Sequence, residues 1–144
     1  MTRTTSDEGT GIEDLSRALR FPCTIFGAMA DDGLEARCED ADWHEVPNEL
    51  RRVLAHHGAS VDYMRLILKR AARFVRRHSL RLAGPPWLDI TCVEDVAAGA
   101  MYVVPLDMSP KRSLAWDERF LSRLADQDLL KGFFMVSFCG RSAA

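Results

Sequence analysis

The chain has 144 residues, 47% hydrophobic and 28% charged, with a formal net charge of −2. These values are ordinary for one soluble globular domain large enough to bury a core without staples. No apolar run reaches the roughly 18 residues a membrane span needs, and residues 1–11 lack the apolar stretch of a secretory leader. A cytoplasmic protein without a membrane partner is therefore expected.

Four cysteines, Cys23, Cys38, Cys92 and Cys139, are spaced too widely for a CxxC redox motif or a zinc ribbon. Reduced, mostly buried thiols are expected, with no metal and no small-molecule cofactor. The small net charge conceals a segregation. Residues 31–49 hold eight acids against Arg37, whereas residues 50–81 hold nine Lys or Arg against Asp62. Arginine outnumbers lysine 16 to 3 along the whole chain, so the bias points to no single site.

In chain order, residues 1–11 are polar and predict a disordered tail, leaving 12–144 as a single α+β domain. Thr10 and Glu13 have capping-box spacing, and Ile12, Leu15 and Leu19 predict a helix over 12–20 that ends before Pro22. Residues 23–29 and 34–39, apolar or alternating about the Asp31-Asp32-Gly33 turn signal, predict a β-hairpin whose register keeps Cys23 away from Cys38. After an acidic connection containing Trp43 and His44, residues 47–57 predict a helix ending at Gly58. Only residues 58–60 separate it from the next helix, which predicts an αα-hairpin or a helix-turn-helix corner.

Residues 61–82 carry the strongest helical signal. On a 100° wheel, Tyr63, Met64, Ile67, Leu68, Ala71, Phe74, Val75 and His78 share one half, and Arg65, Lys69, Arg70, Arg73, Arg76 and Arg77 the other, with Leu66 and Leu80 as apolar exceptions. Ser60 is placed to cap the start, Asp62 and the C-terminal Arg76, Arg77 and Arg81 suit the helix dipole, and Gly84-Pro85-Pro86 is the stop signal. Downstream, residues 88–93 and 100–104 predict a second hairpin, Pro105 and Pro110 bracket an irregular connection, and Phe120, Leu121, Leu124 and Ala125 give a helical face. The run 133–139 predicts a strand inside the sheet. The expected fold is α+β: two hairpins and a C-terminal strand in a mostly antiparallel sheet, packed against an αα-hairpin and two shorter helices.

The candidate site is the basic half of the long helix, Arg65, Lys69, Arg70, Arg73, Arg76 and Arg77. Six cations along one side can engage phosphates or an acidic protein surface; the plainer reading is a solvated face, or one neutralised by residues 31–49. A DNA-reading helix is disfavoured, since the second helix is long, starts with an acid and has an apolar half committed to a core. His56 and His57 suit a helix C-terminus, His78 a core boundary, and His44, between Asp42 and Glu45, is the one histidine whose neighbours suggest acid–base chemistry. Cys139, before Gly140 and Arg141, reads as a small buried hydrophobe before an activated thiol.

No P-loop, GxSxG elbow, HExxH or other catalytic motif occurs, and no nucleophile, base and orienting group can be assembled from the motifs present. The expectation is a non-enzymatic protein-interaction or assembly subunit, structural or adaptor, that binds a protein partner or itself, with Leu66 and Leu80 as an apolar patch rimmed by the cations. The alternative is a nucleic-acid-binding protein. Whether residues 31–49 cover the basic face discriminates between them.

Overall fold

The computed structural model describes residues 3–39, 42–93 and 97–140, with residues 3–10 and Glu39 described by their backbone alone. Its elements are α1 (Arg3–Arg20), α2 (Cys23–Phe26) with a 3-10 turn (Gly27–Met29), β1 (Arg37–Glu39), α3 (Val46–His57), α4 (Val61–Arg77), β2 (Trp87–Val93), β3 (Ala97–Leu106), α5 (Pro110–Asp126) and β4 (Phe134–Gly140). The fold is α+β, with one sheet in the order β1-β2-β3-β4. Only the β2–β3 hairpin is antiparallel; β1 pairs parallel to β2, and β4 parallel to β3. The sheet is therefore mixed and not mostly antiparallel. Parallel neighbours need a long crossover, and the chain supplies two, α3–α4 between β1 and β2 and α5 between β3 and β4.

Registers place Leu88, Tyr102 and Val136 side by side, as they do Ala100 with Phe134 and Val104 with Phe138. These side chains are all buried, and the period of two puts them on one face. Phe74 of α4 and Phe120 of α5 pack on Phe138 from that side, with ring centroids 5.9 and 5.3 Å away. The Tyr102 hydroxyl donates to the Leu19 carbonyl oxygen at 2.8 Å, satisfying one of the carbonyls left over at the end of α1. Burial pushes this phenol far above its ordinary proton affinity.

Within α4, Met64, Ile67, Ala71 and Val75 expose nothing. The helix stops earlier than the Gly84-Pro85-Pro86 signal predicts. Ser79 adopts φ 51°, and its N–H and that of Leu80 return to the carbonyls of Arg76 and Val75 at 3.2 and 2.9 Å, a Schellman ending with serine at the usual glycine position. Leu80 and Leu82 are thereby turned into the core. At the end of α3, Gly58 takes the expected left-handed conformation. α3 makes its main contacts with α1, β2 and β3, and α4 with α1, α2 and β4, so the pair forms a corner and not a packed αα-hairpin.

Three other expectations are corrected. The first hairpin does not form: residues 23–26 are a helical turn closed by Ile25 and Phe26 N–H bonds to Pro22, because a short apolar run fits a helix or a strand equally and tertiary burial of Phe26 decides. The Asp31–Leu34 turn is present, but the strand after it pairs with β2. Second, the helix expected over 12–20 starts at Arg3, residues 1 and 2 lying outside the described residues, so Thr10 falls within it and is no cap. Once the buried Ile12, Leu15 and Leu19 face fixes the helix, each preceding residue adds at propagation cost only. Third, Pro105 lies in β3, not in an irregular connection. It lies beyond the β2 pairing, where its carbonyl accepts from the Ala83 N–H at 2.8 Å.

The C-terminal strand is at an edge, not inside the sheet, and its inward residues alternate with half-buried ones. Asp117 of α5 blunts that edge by accepting the Phe138 N–H at 2.8 Å. Gly140 is needed beside it, since a Cβ there would run into the Ser109 backbone. Replacing Tyr102 by Phe leaves the Leu19 carbonyl buried without a donor, and a loss of about 1–3 kcal/mol is expected in urea denaturation; an unchanged midpoint would assign that bond no net role.

Candidate functional site

The 3.6-residue period that buries one side of α4 holds its cations on the other. Lys69, Arg73, Arg76 and Arg77 are exposed, and Arg65 and Arg70 are half-buried. Neighbouring helices divide this side into two. Arg65, Lys69, Arg73 and Arg76 border a groove of about 410 Å³ against α1 and α2, with Leu15, Ile25, Leu68 and Ala72 among its apolar lining. On the other flank, Arg70, Arg73 and Arg77 meet Arg123 and Gln127 of α5 around a cleft of about 100 Å³ over Phe74, Phe120 and Leu124. Arg73 belongs to both.

Two of the six cations are partly engaged. Arg65 pairs with Asp62 at 3.7 Å and lies over α1 where Gly11 leaves room. Arg76 Nη1 donates to the Ile25 carbonyl oxygen at 3.4 Å, joining α2 to α4. Among the described residues no ion pair reaches Lys69, Arg70, Arg73 or Arg77. Three acids of the acid-rich segment pair elsewhere: Asp31 with Arg81 at 3.4 Å, Glu35 with Arg20 at 2.8 Å and Glu49 with Arg52 at 3.4 Å. The reason is topological, since β1 follows that segment's first half onto one edge of the sheet while α4 packs toward β4 at the other. Described residues of 31–49 therefore do not neutralise the basic face.

The predicted apolar patch is corrected. Leu80 is buried past the end of α4 and Leu66 is half-buried, so they form no exposed pair. Apolar surface occurs instead on the helix-free face of the sheet, where Trp87, Met101, Val103 and Met135 are half-buried or exposed.

His78 does stand at the core boundary. Its ring lies 4.8 Å from both Phe74 and Trp116, and its Nε2 is shut off from solvent with no hydrogen-bond partner among the described residues. Burial, and then the positive charges of Arg119, Arg77 and Arg123, lower its proton affinity. His57 does more than end a helix: its Nε2 is 2.7 Å from the Ala98 carbonyl oxygen and its ring stacks on Phe133 at 4.5 Å, tying α3 to β3 and to the approach to β4. His44 is exposed. His56 and Cys92 border one open concavity of about 660 Å³, without a hydrogen bond between them. Cys139 is half-buried near the end of β4.

Among the described residues no group of three or more His, Cys, Asp or Glu could hold a metal ion, and no helix is long and apolar enough to cross a membrane. Asp117 stays above the ordinary carboxyl range because its burial outweighs the bonds from Phe138 and Ser137. Sequence reasoning missed Arg119, Arg123 and Gln127. The i, i+4 spacing of Arg119 and Arg123 beside Phe120 and Leu124 was the available signal, but which helix they face is a tertiary fact.

A histidine that binds protons less readily when folded than when unfolded stabilises the fold while neutral. That contribution is complete above the ordinary value of 6.5 and is lost as pH falls through the lowered folded value. Lowering the pH from above 6.5 is expected to reduce the urea midpoint of the wild type more than that of His78→Phe, which keeps an aromatic ring between Phe74 and Trp116; equal losses would remove His78 as the cause. Compared with family models, curated proteins and solved structures, the chain gives no match.

Proposed function

We propose that the chain is a non-enzymatic docking or assembly subunit that receives an acidic, amphipathic segment of a protein partner in the groove between α4 and the α1–α2 pair. The observation that carries this reading is the groove's composition: half-buried Ile25 and Ala18, over a floor of buried Leu15, Leu68 and Ala72, offer apolar contact beneath a rim of Arg65, Lys69, Arg73 and Arg76. Asp14 is the acid at its border, and it pairs with Arg17 at 3.6 Å. Exposed ion pairs are worth only about 0.2–1 kcal/mol each. Affinity must therefore come chiefly from apolar contact, with the cations speeding encounter and selecting for acidic sequences. The half-exposed apolar face of the sheet adds a second surface suited to assembly.

Nucleic acid is the second reading. Lys69, Arg73 and Arg77 recur every four residues, about 6 Å apart along the helix axis, and no described acid pairs with them. Against it, the chain is acidic overall and the groove's lining is apolar, which phosphates do not use. The histidines and cysteines stand apart: His44 is exposed, and His56 and Cys92 share a concavity without bonding.

A fluorescein-labelled peptide with leucines at helical spacing and glutamates between them tests the reading by anisotropy, with a labelled single-stranded oligonucleotide in parallel. Peptide capture is expected to weaken with salt and to fall at least about tenfold, about 1.4 kcal/mol, in Lys69→Glu/Arg76→Glu. Unchanged capture by that variant overturns the groove. Preferential capture of the oligonucleotide, with a steep salt dependence, moves the assignment to nucleic acid.

A further inference from the structure

We infer that the cleft between α4 and α5 is a binding site for a single phosphate group, held by Arg70, Arg73, Arg77 and Arg123. The inference stands apart from the docking groove, because Arg70, Arg77 and Arg123 do not border that groove.

Four arginines from two helices line a space of about 100 Å³. By the scale on which a water needs roughly 10–15 Å³, this holds a tetrahedral oxyanion but no nucleoside. No described acid forms an ion pair with any of the four, although acids outnumber cations in the chain, 21 to 19. The described ion pairs lie elsewhere, so the positive charge here is local and uncompensated. Like charges gathered over an apolar floor repel one another, and an anion is what relieves that repulsion.

A second observation is independent of the charge count. Arg70 Nε is shut off from solvent and has no acceptor among the described residues. Closed even to water, Nε is not itself a ligand for an anion in the cleft; it marks Arg70 as a side chain whose stem is packed into the cleft wall. Beside the cleft, His78 packs on Phe74, which floors it, and the fields of Arg77 and Arg123 disfavour the charged ring. The histidine thus senses the same positive potential; Arg119 is the other cation acting on it.

The shape of the cluster selects the ligand. A planar carboxylate is matched by one or two guanidinium forks, whereas four arginines drawn from two helices offer more donors than a carboxylate uses and enough for the oxygens of a tetrahedral dianion. Phe74, Phe120 and Leu124 close the floor. Any group esterified to the phosphate therefore remains in solvent, so free phosphate and a phosphomonoester share one chemistry here.

Inorganic phosphate and O-phosphoserine, each titrated at constant ionic strength against a chloride control, test the site through the His78 ring signals and the amide signals of α4 and α5. Saturable shifts are expected, with His78 titrating at higher pH once the bound dianion offsets the arginines. Arg70→Gln/Arg123→Gln should weaken binding at least about tenfold, while Arg65→Gln/Arg76→Gln in the docking groove should leave it intact. Should the first variant fail to fold, Arg77→Gln, at an exposed position, carries the same expectation of weakened binding. Comparable binding of O-phosphoserine supports a phosphomonoester ligand, and binding of inorganic phosphate alone supports the free ion. Shifts that do not saturate or that chloride reproduces, or affinity unchanged in both cleft variants, overturn the site and leave the docking groove untouched.

Discussion

The burial of one side of α4 is the constraint from which the other elements take their places. Met64, Ile67, Ala71 and Val75 are fully enclosed, and Phe74 continues the same side into a ring cluster with Phe120, Phe138, Trp116 and His78. Burying a large apolar side chain is worth about 1.5–3 kcal/mol, so this helix concentrates much of the core's driving force in a few turns. α1 and α2 pack on one flank, α5 meets the other through Phe74 and Phe120, and β4 lies beneath. Tyr63 extends this role beyond the core: its hydroxyl donates to the Leu129 carbonyl oxygen and accepts from the Lys131 N–H, fixing the connection between α5 and β4.

The charged arrangement follows from that burial. A helix with one side sealed must present the remainder outward, and α4 has cations at nearly every outward position. The neighbouring helices make recesses of what would otherwise be a convex face. One is a long amphipathic groove beside α1 and α2; the other is a small cleft that gains Arg123 from α5. The two differ in the balance of apolar contact and charge, hence in the ligands they suit. The groove encloses about 410 Å³ and the cleft about 100 Å³.

The sheet takes its form from its connections. β2 and β3 are joined directly and pair antiparallel, while helices intervene before β2 and before β4 and return the chain in parallel. With the helices packed on the face bearing Leu88, Tyr102 and Val136, the opposite face keeps Trp87, Met101, Val103 and Met135 in partial contact with solvent. The exposed edges are limited by different means: β1 has three residues, and the Phe138 N–H of β4 is taken by Asp117.

Local signals in the sequence determined the elements whose own residues carry them. The period of α4, glycine at the end of α3, the β2–β3 hairpin, and Phe120 and Leu124 of the expected α5 face, though not its exposed Ala125, are each written within a few consecutive residues and survive into the fold. The six cations of α4 and the segregation of acid from base were legible for the same reason. Tertiary structure decided what depends on distant partners. Residues 23–26 became helical through burial of Phe26, α4 ended at a left-handed Ser79 that turns Leu80 inward, and β4 became an edge because strand order is set by crossovers. Likewise, no wheel drawn on α4 alone could show that Arg70, Arg73 and Arg77 face Arg123, or that residues 31–35 pair their acids with Arg81 and Arg20. A residue's face is fixed by periodicity over a turn or two, whereas what that face meets depends on how elements far apart in sequence share one core.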